Sequence, residues 1–234
     1  MRIATWNLQR KRPVSPNGSR AVDHLRSVSA DIAIVTEAWV DHIGPGFHHV
    51  DAGPTGIAHL REGERKVVIA SRWPISGVMI DLDVPTPGRF LSATVETPEG
   101  ALNVIGLCIP WFASRVWIGK ATNWEDHRTF LEALSPVLED LAQTPCLVAG
   151  DFNQRIPRSQ QPREIADLLA DTFKDFAIPT AGERPETGRT LIDHIALSPS
   201  LKCREVTAWS GTLDDRKVSD HDGVIVECSF PWQL

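Results

Sequence analysis

Nine short apolar runs of strand length set the problem this chain has to solve. They fall at about 2–8, 32–36, 66–70, 90–96, 102–109, 146–149, 191–197, 203–209 and 223–228, rich in β-branched residues and bounded by turn-forming or polar residues. Helical spacing is rarer. Between residues 19 and 29, Val22, Leu25 and Val28 share a face, following a Pro-Asn-Gly turn. From Trp124 to Ala142, Phe130, Leu131, Leu134, Val137, Leu138 and Leu141 recur at intervals of three and four. Pro136 is expected to kink or restart that helix. A shorter helix near 163–170 turns Ile165, Leu168 and Leu169 inward. Many strands, few helices and no strict strand–helix alternation argue against a doubly wound parallel sheet. They predict an α/β chain of mixed sheets packed face to face with helices on the outer faces. Prolines and glycines are spread among the loops, and no repeat or linker divides the chain, so residues 1–234 read as one domain.

The ends of these runs carry the chemistry. Leu147-Val148-Ala149-Gly150-Asp151-Phe152-Asn153 is apolar until it breaks at a glycine and presents an acid and an amide two positions apart. Residues i and i+2 of a strand face the same side, so Asp151 and Asn153 reach one pocket if the extended conformation persists. Ile3-Ala4-Thr5-Trp6-Asn7 ends on an amide, and Ile32-Ala33-Ile34-Val35-Thr36-Glu37 ends on a glutamate. Leu191-Ile192-Asp193-His194-Ile195 puts an acid inside a buried pattern, where an unpaired charge costs several kcal/mol. Ser219-Asp220-His221-Asp222 leads into the last run. Each ending alone has a plainer explanation, since Gly, Asp and Asn are common turn residues, Glu37 can open a surface loop, and Asp193 can pair with His194 or an arginine. Five together point to a shared polar cleft.

The formal net charge of −6 argues against a protein that coats nucleic acid by bulk attraction. It leaves open an enzyme acting on phosphates, where a metal and a local basic rim supply the field; Arg10-Lys11-Arg12 is one candidate rim. Cys108, Cys146, Cys203 and Cys228 are scattered through apolar segments without a Cys-x-x-Cys pair, so reduced thiols are the default and a zinc knuckle is disfavoured. The start of the sequence lacks the apolar core of a signal peptide, and no run approaches the ~20 apolar residues that span a bilayer. These features favour a soluble cytoplasmic protein.

Thr5-Trp6-Asn7, the strand-end Glu37, Gly150-Asp151-Phe152-Asn153, Ile192-Asp193-His194-Ile195 and Ser219-Asp220-His221 together resemble the endonuclease/exonuclease/phosphatase superfamily. That group includes pancreatic deoxyribonuclease, AP endonucleases, neutral sphingomyelinases and inositol polyphosphate 5-phosphatases. The matches keep the family's order from residue 5 to residue 221. The resemblance implies a four-layered α/β sandwich, two packed mixed sheets flanked by helices, and metal-dependent cleavage of a phosphate ester. It implies Glu37 as the main Mg²⁺ ligand, with Mn²⁺ as an alternative metal, Asn7 beside it or one layer out, and Asp220 supporting the metal side. Asp151 would orient or deprotonate the attacking water and Asn153 would bond a phosphate oxygen. His221 would contact the scissile phosphate or act as acid/base, its imidazole held by Asp193. Mg²⁺ takes oxygen ligands and keeps several waters, so one or two carboxylates suffice.

One position departs from the pattern. Where relatives place a histidine or a tyrosine at the end of the strand 101–107, this chain has Cys108, and it contains no tyrosine. A thiol is a weak donor, so one phosphate contact is lost or supplied from elsewhere; Arg115, His127 and Arg128 are the nearest candidates. Trp111, Trp117 and Trp124, interleaved with Arg115 and Lys120, could stack bases, although tryptophan is more often buried. Arg155, Arg158, Arg184 and Arg189 could form a phosphate-binding rim. The leading expectation is a nuclease acting on DNA or RNA. A phosphomonoesterase or a lipid or nucleotide phosphodiesterase is the alternative, and a catalytically silent binding module is the third reading.

Overall fold

The computed structural model describes residues 1–55, 61–80, 82–84, 86–114 and 122–231. In chain order its elements are β1 (Arg2–Asn7), α1 (Pro16–Ser27), β2 (Ile32–Trp39), β3 (His48–Asp51), β4 (Glu64–Ser71), β5 (Ile75–Met79), β6 (Phe90–Thr97) and β7 (Gly100–Cys108). There follow α2 (Glu125–Leu141), β8 (Cys146–Asp151), α3 (Arg163–Thr172), β9 (Glu183–Arg184), β10 (Arg189–Thr190) and β11 (Asp193–Leu197). The last elements are β12 (Lys202–Trp209), β13 (Thr212–Leu213), β14 (Arg216–Lys217) and β15 (Gly223–Ser229).

Two mixed sheets form the centre. The first has the order β12-β15-β1-β2-β4-β3 and the second β11-β8-β7-β6-β5. Among the described residues, only β1–β2 and β7–β8 pair in parallel. Ile3, Ile32, Ile34, Val67 and Ile69 of the first sheet meet Leu91, Leu102, Val104, Leu147 and Ile195 of the second in a common apolar layer. On the far side of the second sheet, Phe130, Leu131, Leu134 and Leu138 of α2 and Leu169 of α3 pack on Ile105, Leu107 and Val148. On the far side of the first, Ala21 of α1 packs with Trp6, Val35 and Val68. Helix, sheet, sheet, helix pair: this is the expected four-layered sandwich.

All nine expected strands form, and the structure adds β3 and β5 at the open edges and two hairpins of two-residue strands. These additions are short, polar or exposed, so hydrophobic alternation could not mark them. α1 begins at Pro16, earlier than expected. Ser15 caps it, its hydroxyl accepting from Gly18 N at 3.1 Å, and proline occupies the first turn, where its missing N–H is harmless. What read as a turn before the helix is the helix's own first turn. Helix α2 runs through Pro136 without restarting. Pro136 and Glu132, whose carbonyl loses its helical donor, both lie on the exposed side of the helix, where the loss is cheapest.

The register gathers the polar strand ends at one edge of the sandwich. The C-terminal ends of β1, β2, β7 and β8 lie there, with the N-terminal ends of their antiparallel neighbours β4, β6, β11 and β15. Across the second sheet, Asp193 pairs with Asp151, Asp151 with Cys108, and Cys108 N–H donates to the carbonyl of Arg89, just ahead of β6. Four polar residues thus form one row, and the residues two positions further into the strands (Ile195, Ala149, Leu91) belong to the layer between the sheets.

Candidate active site

The Gly150-Asp151-Phe152-Asn153 stretch works, but by a different route from continued extension. Gly150 has φ +141°, and a Cβ there would lie 1.9 Å from the Leu107 carbonyl oxygen, so only glycine fits. The strand ends at Asp151, and Asn153 turns into the left-handed region at φ +53°. The two side chains still meet, because the turn closes on the acid. Asn153 N–H donates to Asp151 Oδ1 at 2.9 Å, and Asn153 Nδ2 donates to Asp151 Oδ2 at 3.0 Å and to Ile109 O at 2.8 Å. Both amide hydrogens are therefore engaged, and in this arrangement Asn153 clamps Asp151 to the segment after β7.

From the first sheet, Asn7 Nδ2 donates to the same Asp151 Oδ2 at 3.0 Å, while Asn7 Oδ1 accepts from Gln9 N at 2.8 Å. Asn7 is thus tied to Asp151. Asp193 is fully buried, and its Oδ2 accepts from His221 Nδ1 at 2.5 Å. The acid inside an apolar pattern does find a partner, and that partner is His221. The neighbouring His194 faces the interior, bonding Thr180 Oγ1 and Gln154 O at 3.1 Å each. His221 is held from behind: Trp6 Nε1 donates to its carbonyl at 3.0 Å, and Ser219 Oγ accepts from its N–H at 3.1 Å. The Ser219 hydroxyl itself donates to Asn7 O at 2.6 Å. Asp220, half-exposed, lies 3.9 Å from His221 Nε2.

Glu37 sits in a break of β2. Its φ is +47°, and Val35 and Ala38, three positions apart, pack in the same cluster beneath α1, so the alternation of faces is interrupted at Glu37. A non-glycine residue held in this conformation is strained, as is common at functional positions. Lys66 Nζ lies 2.5 Å from Glu37 Oε1 and Arg10 Nε 3.7 Å from Oε2. Opposition of burial and these cations leaves the Glu37 carboxyl below its usual value: desolvation raises it, and Lys66, Arg10 and His221 more than offset that.

The charges around Asp151 act the other way. Burial first, then Asp193 and Glu37, push its carboxyl up to about 7, against the pull of His221 and the Asn153 N–H. For His221, burial disfavours the imidazolium, but Asp193, Asp151 and Asp220 outweigh it and raise its pKa to about 10. Asp193 is likewise pushed up by burial, with the imidazolium working against the rise.

Ligand atoms of Asp151, Asp193 and His221 lie within 4.8 Å of one another, and Asp193 Oδ1 is buried without a partner among the described residues. Buried carboxylate oxygens with a spare lone pair, and Glu37 on the facing sheet, are the hard oxygen donors that Mg²⁺ or Mn²⁺ selects. The residues fit a divalent metal.

The expected substrate side chains are less concentrated. Arg115, with Trp117 and Lys120, lies outside the described residues. Arg128 is half-buried on α2, and Arg155 is exposed in the loop after β8. His127 is no substitute for the absent histidine or tyrosine. It is fully buried, donates from Nδ1 to Pro110 O at 2.7 Å and meets Gln154 Nε2 at 2.8 Å, and burial lowers it to about 4. Trp111 is half-exposed and packs edge-on against Phe112. Cys108 is buried, which pushes its thiol up to about 12 and removes it as a nucleophile.

Two cations escaped the sequence reading, Lys66 and Arg89. Arg89 is buried, its Nη1 donating to Cys108 O at 3.1 Å and approaching Cys108 Sγ at 3.6 Å. Both residues sit directly at the head of an apolar run whose strand is antiparallel to one that ends in the site. A charge at the start of a strand carries the same signal as the acid at the end of its antiparallel neighbour.

No curated protein sequence matches the chain at a significant level. Among solved structures, a 3′-5′ exonuclease, NExo, from Neisseria meningitidis superposes with a TM-score of 0.70 at 20% identity, over 99% of this chain and 100% of that one. The 3′ phosphatase NExo from Neisseria, bound to a product DNA hairpin, gives 0.68 at 18% identity, over 98% and 100%. An AP endonuclease from Archaeoglobus fulgidus gives 0.68 at 18% identity, over 99% of each chain. At these identities the likeness concerns the fold. The sequence profile described as "Endonuclease/Exonuclease/phosphatase family" matches residues 4–221, nearly the whole chain, and members of that family are metal-dependent phosphoesterases. The chain belongs to the endonuclease/exonuclease/phosphatase family.

Proposed function

We propose that this protein hydrolyses phosphodiester bonds in DNA or RNA with the help of Mg²⁺ or Mn²⁺. The observation that carries the reading is the meeting of Asp151, Asp193 and His221 within 4.8 Å at the edge where both sheets end. Glu37 is the acid that would hold the metal, with Asp220 and Asn7 at its margin and the Asp151–Asp193–His221 group beside it. A bound divalent cation would neutralise charge on the phosphate and acidify water.

The protein's own groups divide the remaining work. Asp151, with its pKa near 7, is poised to take a proton from the attacking water at neutral pH. Asn7 and Asn153 fix its orientation by donating to the same oxygen. His221 is protonated at that pH and offers Nε2–H to a phosphate oxygen or to the leaving group, while Asp193 holds the ring from the other nitrogen. Arg128 and Arg155, with Arg115, are assigned to the substrate backbone.

Nucleic acid is favoured as the substrate by the exposed aromatic pair Trp111–Phe112, which follows the Ile109 carbonyl that Asn153 holds. A phosphomonoesterase is the second reading, supported by the 3′ phosphatase among the similar structures. Supercoiled plasmid, single-stranded oligonucleotides and 3′-phosphorylated oligonucleotides, incubated with Mg²⁺, Mn²⁺ or chelator, test both. Nicks or ladders suppressed by chelator are expected. Release of phosphate without strand cleavage would select the second reading, and inertness of every substrate with both metals would defeat the two together.

A further inference from the structure

The chemistry above leaves Lys66 without a task, although it is in direct contact with a carboxylate of the site. Its ammonium is buried, with the side chain 10% exposed, and lies 2.5 Å from Glu37 Oε1. Arg10 approaches the other oxygen, so both oxygens of the acid face a positive charge. A divalent cation arriving at Glu37 competes with the ammonium for the carboxylate, because like charges a few ångströms apart repel in a partly dry site. Once displaced, a buried ammonium needs another anion, since an unpaired one is costly.

The surroundings say which anion. Cys108 stands in one row with Asp151 and Asp193 and is a poor donor, and the Lys66 charge works against the rise of its thiol. Arg89, the other cation beside Cys108, is tied by Nη1 to the Cys108 carbonyl. Lys66 has a flexible stem and three donors, with no other hydrogen-bond partner among the described residues. Resting on the metal-dependent phosphoesterase reading, we propose that Lys66 is a phosphate-binding residue that exchanges Glu37 for a non-bridging oxygen of the substrate when Glu37 takes the metal, filling the place that Cys108 leaves without a donor. Lys66 then holds the carboxylate in the absence of metal and the substrate in its presence.

Two binding measurements test this without turnover: calorimetric titration with Mn²⁺ alone, and broadening of the ³¹P signal of inorganic phosphate by the Mn²⁺-loaded protein. Lys66→Met keeps the apolar stem. It is expected to bind Mn²⁺ severalfold more tightly and phosphate about tenfold or more weakly, the effect of losing a charged hydrogen bond. Lys66→Arg is expected to restore most of the phosphate binding. Lys66→Gln replaces Lys66→Met if circular dichroism shows that variant unfolded. Unchanged phosphate binding in Lys66→Met would overturn the proposal, as would weakened Mn²⁺ binding, which would mean that Lys66 only props Glu37. A wild type that binds Mn²⁺ with a variant that behaves identically sinks Lys66 alone. A wild type that binds no Mn²⁺ removes the metal reading and this inference with it.

Discussion

The two sheets bring their charges to the common edge in opposite ways. The second sheet delivers Asp151 and Asp193 on neighbouring strands in regular register, fully buried and clamped by amide donors and an imidazole. The first delivers Glu37 from a broken strand, partly exposed and covered by Lys66 and Arg10. One half pairs two buried acids with a single imidazolium brought from the segment before β15; the other is strained and has Lys66 and Arg10 against one acid. Burial outweighs the pull of His221 and pushes the Asp151 carboxyl up to about 7, whereas Lys66 and Arg10 outweigh burial and hold Glu37 down. The same residue class thus serves as a proton acceptor on one side of the cleft and as a permanent anion on the other.

Damage to the Asp151–His221 pair should be more severe than damage to Glu37. Asp151→Asn and His221→Asn are each expected to lower kcat/KM by about a thousandfold in Mn²⁺ while circular dichroism stays native, in line with loss of an acid/base group. Full activity in either variant would break the assignment. Glu37→Gln should act on metal demand, raising the Mn²⁺ concentration for half-maximal activity about 10–100-fold; a pure kcat loss at unchanged metal demand would erase the distinction between the halves.

The pH profile sharpens the contrast. Asp151 must be ionised to accept a proton, so activity should rise with pH through a limb at or below 7, lower when metal adds positive charge. His221 must be protonated to donate, so activity should fall near 10. Asp193→Asn should move that falling limb towards the ordinary histidine value near 6.5; an unmoved limb would assign it to another group. The smallest effect is on stability. Asp151 has a folded-state value above its unfolded one, so its contribution is fully present below about pH 4 and is lost as pH rises through about 7. A divalent ion near this carboxylate opposes that loss. Saturating Mg²⁺ should therefore raise Tm by on the order of 5 °C at pH 8 and by less at pH 5. An equal rise at both pH values would separate the metal from Asp151.

Much of this was readable from sequence because burial and strand geometry leave few choices. Apolar runs located the nine principal strands; polar residues at their ends marked Asn7, Glu37 and Asp151, and an acid inside one marked Asp193. What escaped is instructive. Asn153 reaches Asp151 through a left-handed turn, which alternation cannot foresee. Pro136 leaves α2 unbroken because the carbonyl it strips of a donor lies on the exposed side of the helix. His127 looked available as a polar residue near the site, but the direction of a helical side chain depends on packing, and it points into the interior. Lys66 and Arg89 were absorbed into or placed beside apolar runs, where their charge should have marked them.

Trp6 donates to the His221 carbonyl and Ser219 donates to the Asn7 carbonyl, contacts that join segments more than 210 residues apart along the chain. β15 also lies between β1 and β12, so the strand that follows His221 is an inner member of its sheet. Such distant pairings close late, because so much intervening chain must be ordered first. A polypeptide emerging from the ribosome therefore displays Asp151 long before it can offer an imidazole opposite it, and hydrolytic competence arrives only when the sandwich is finished.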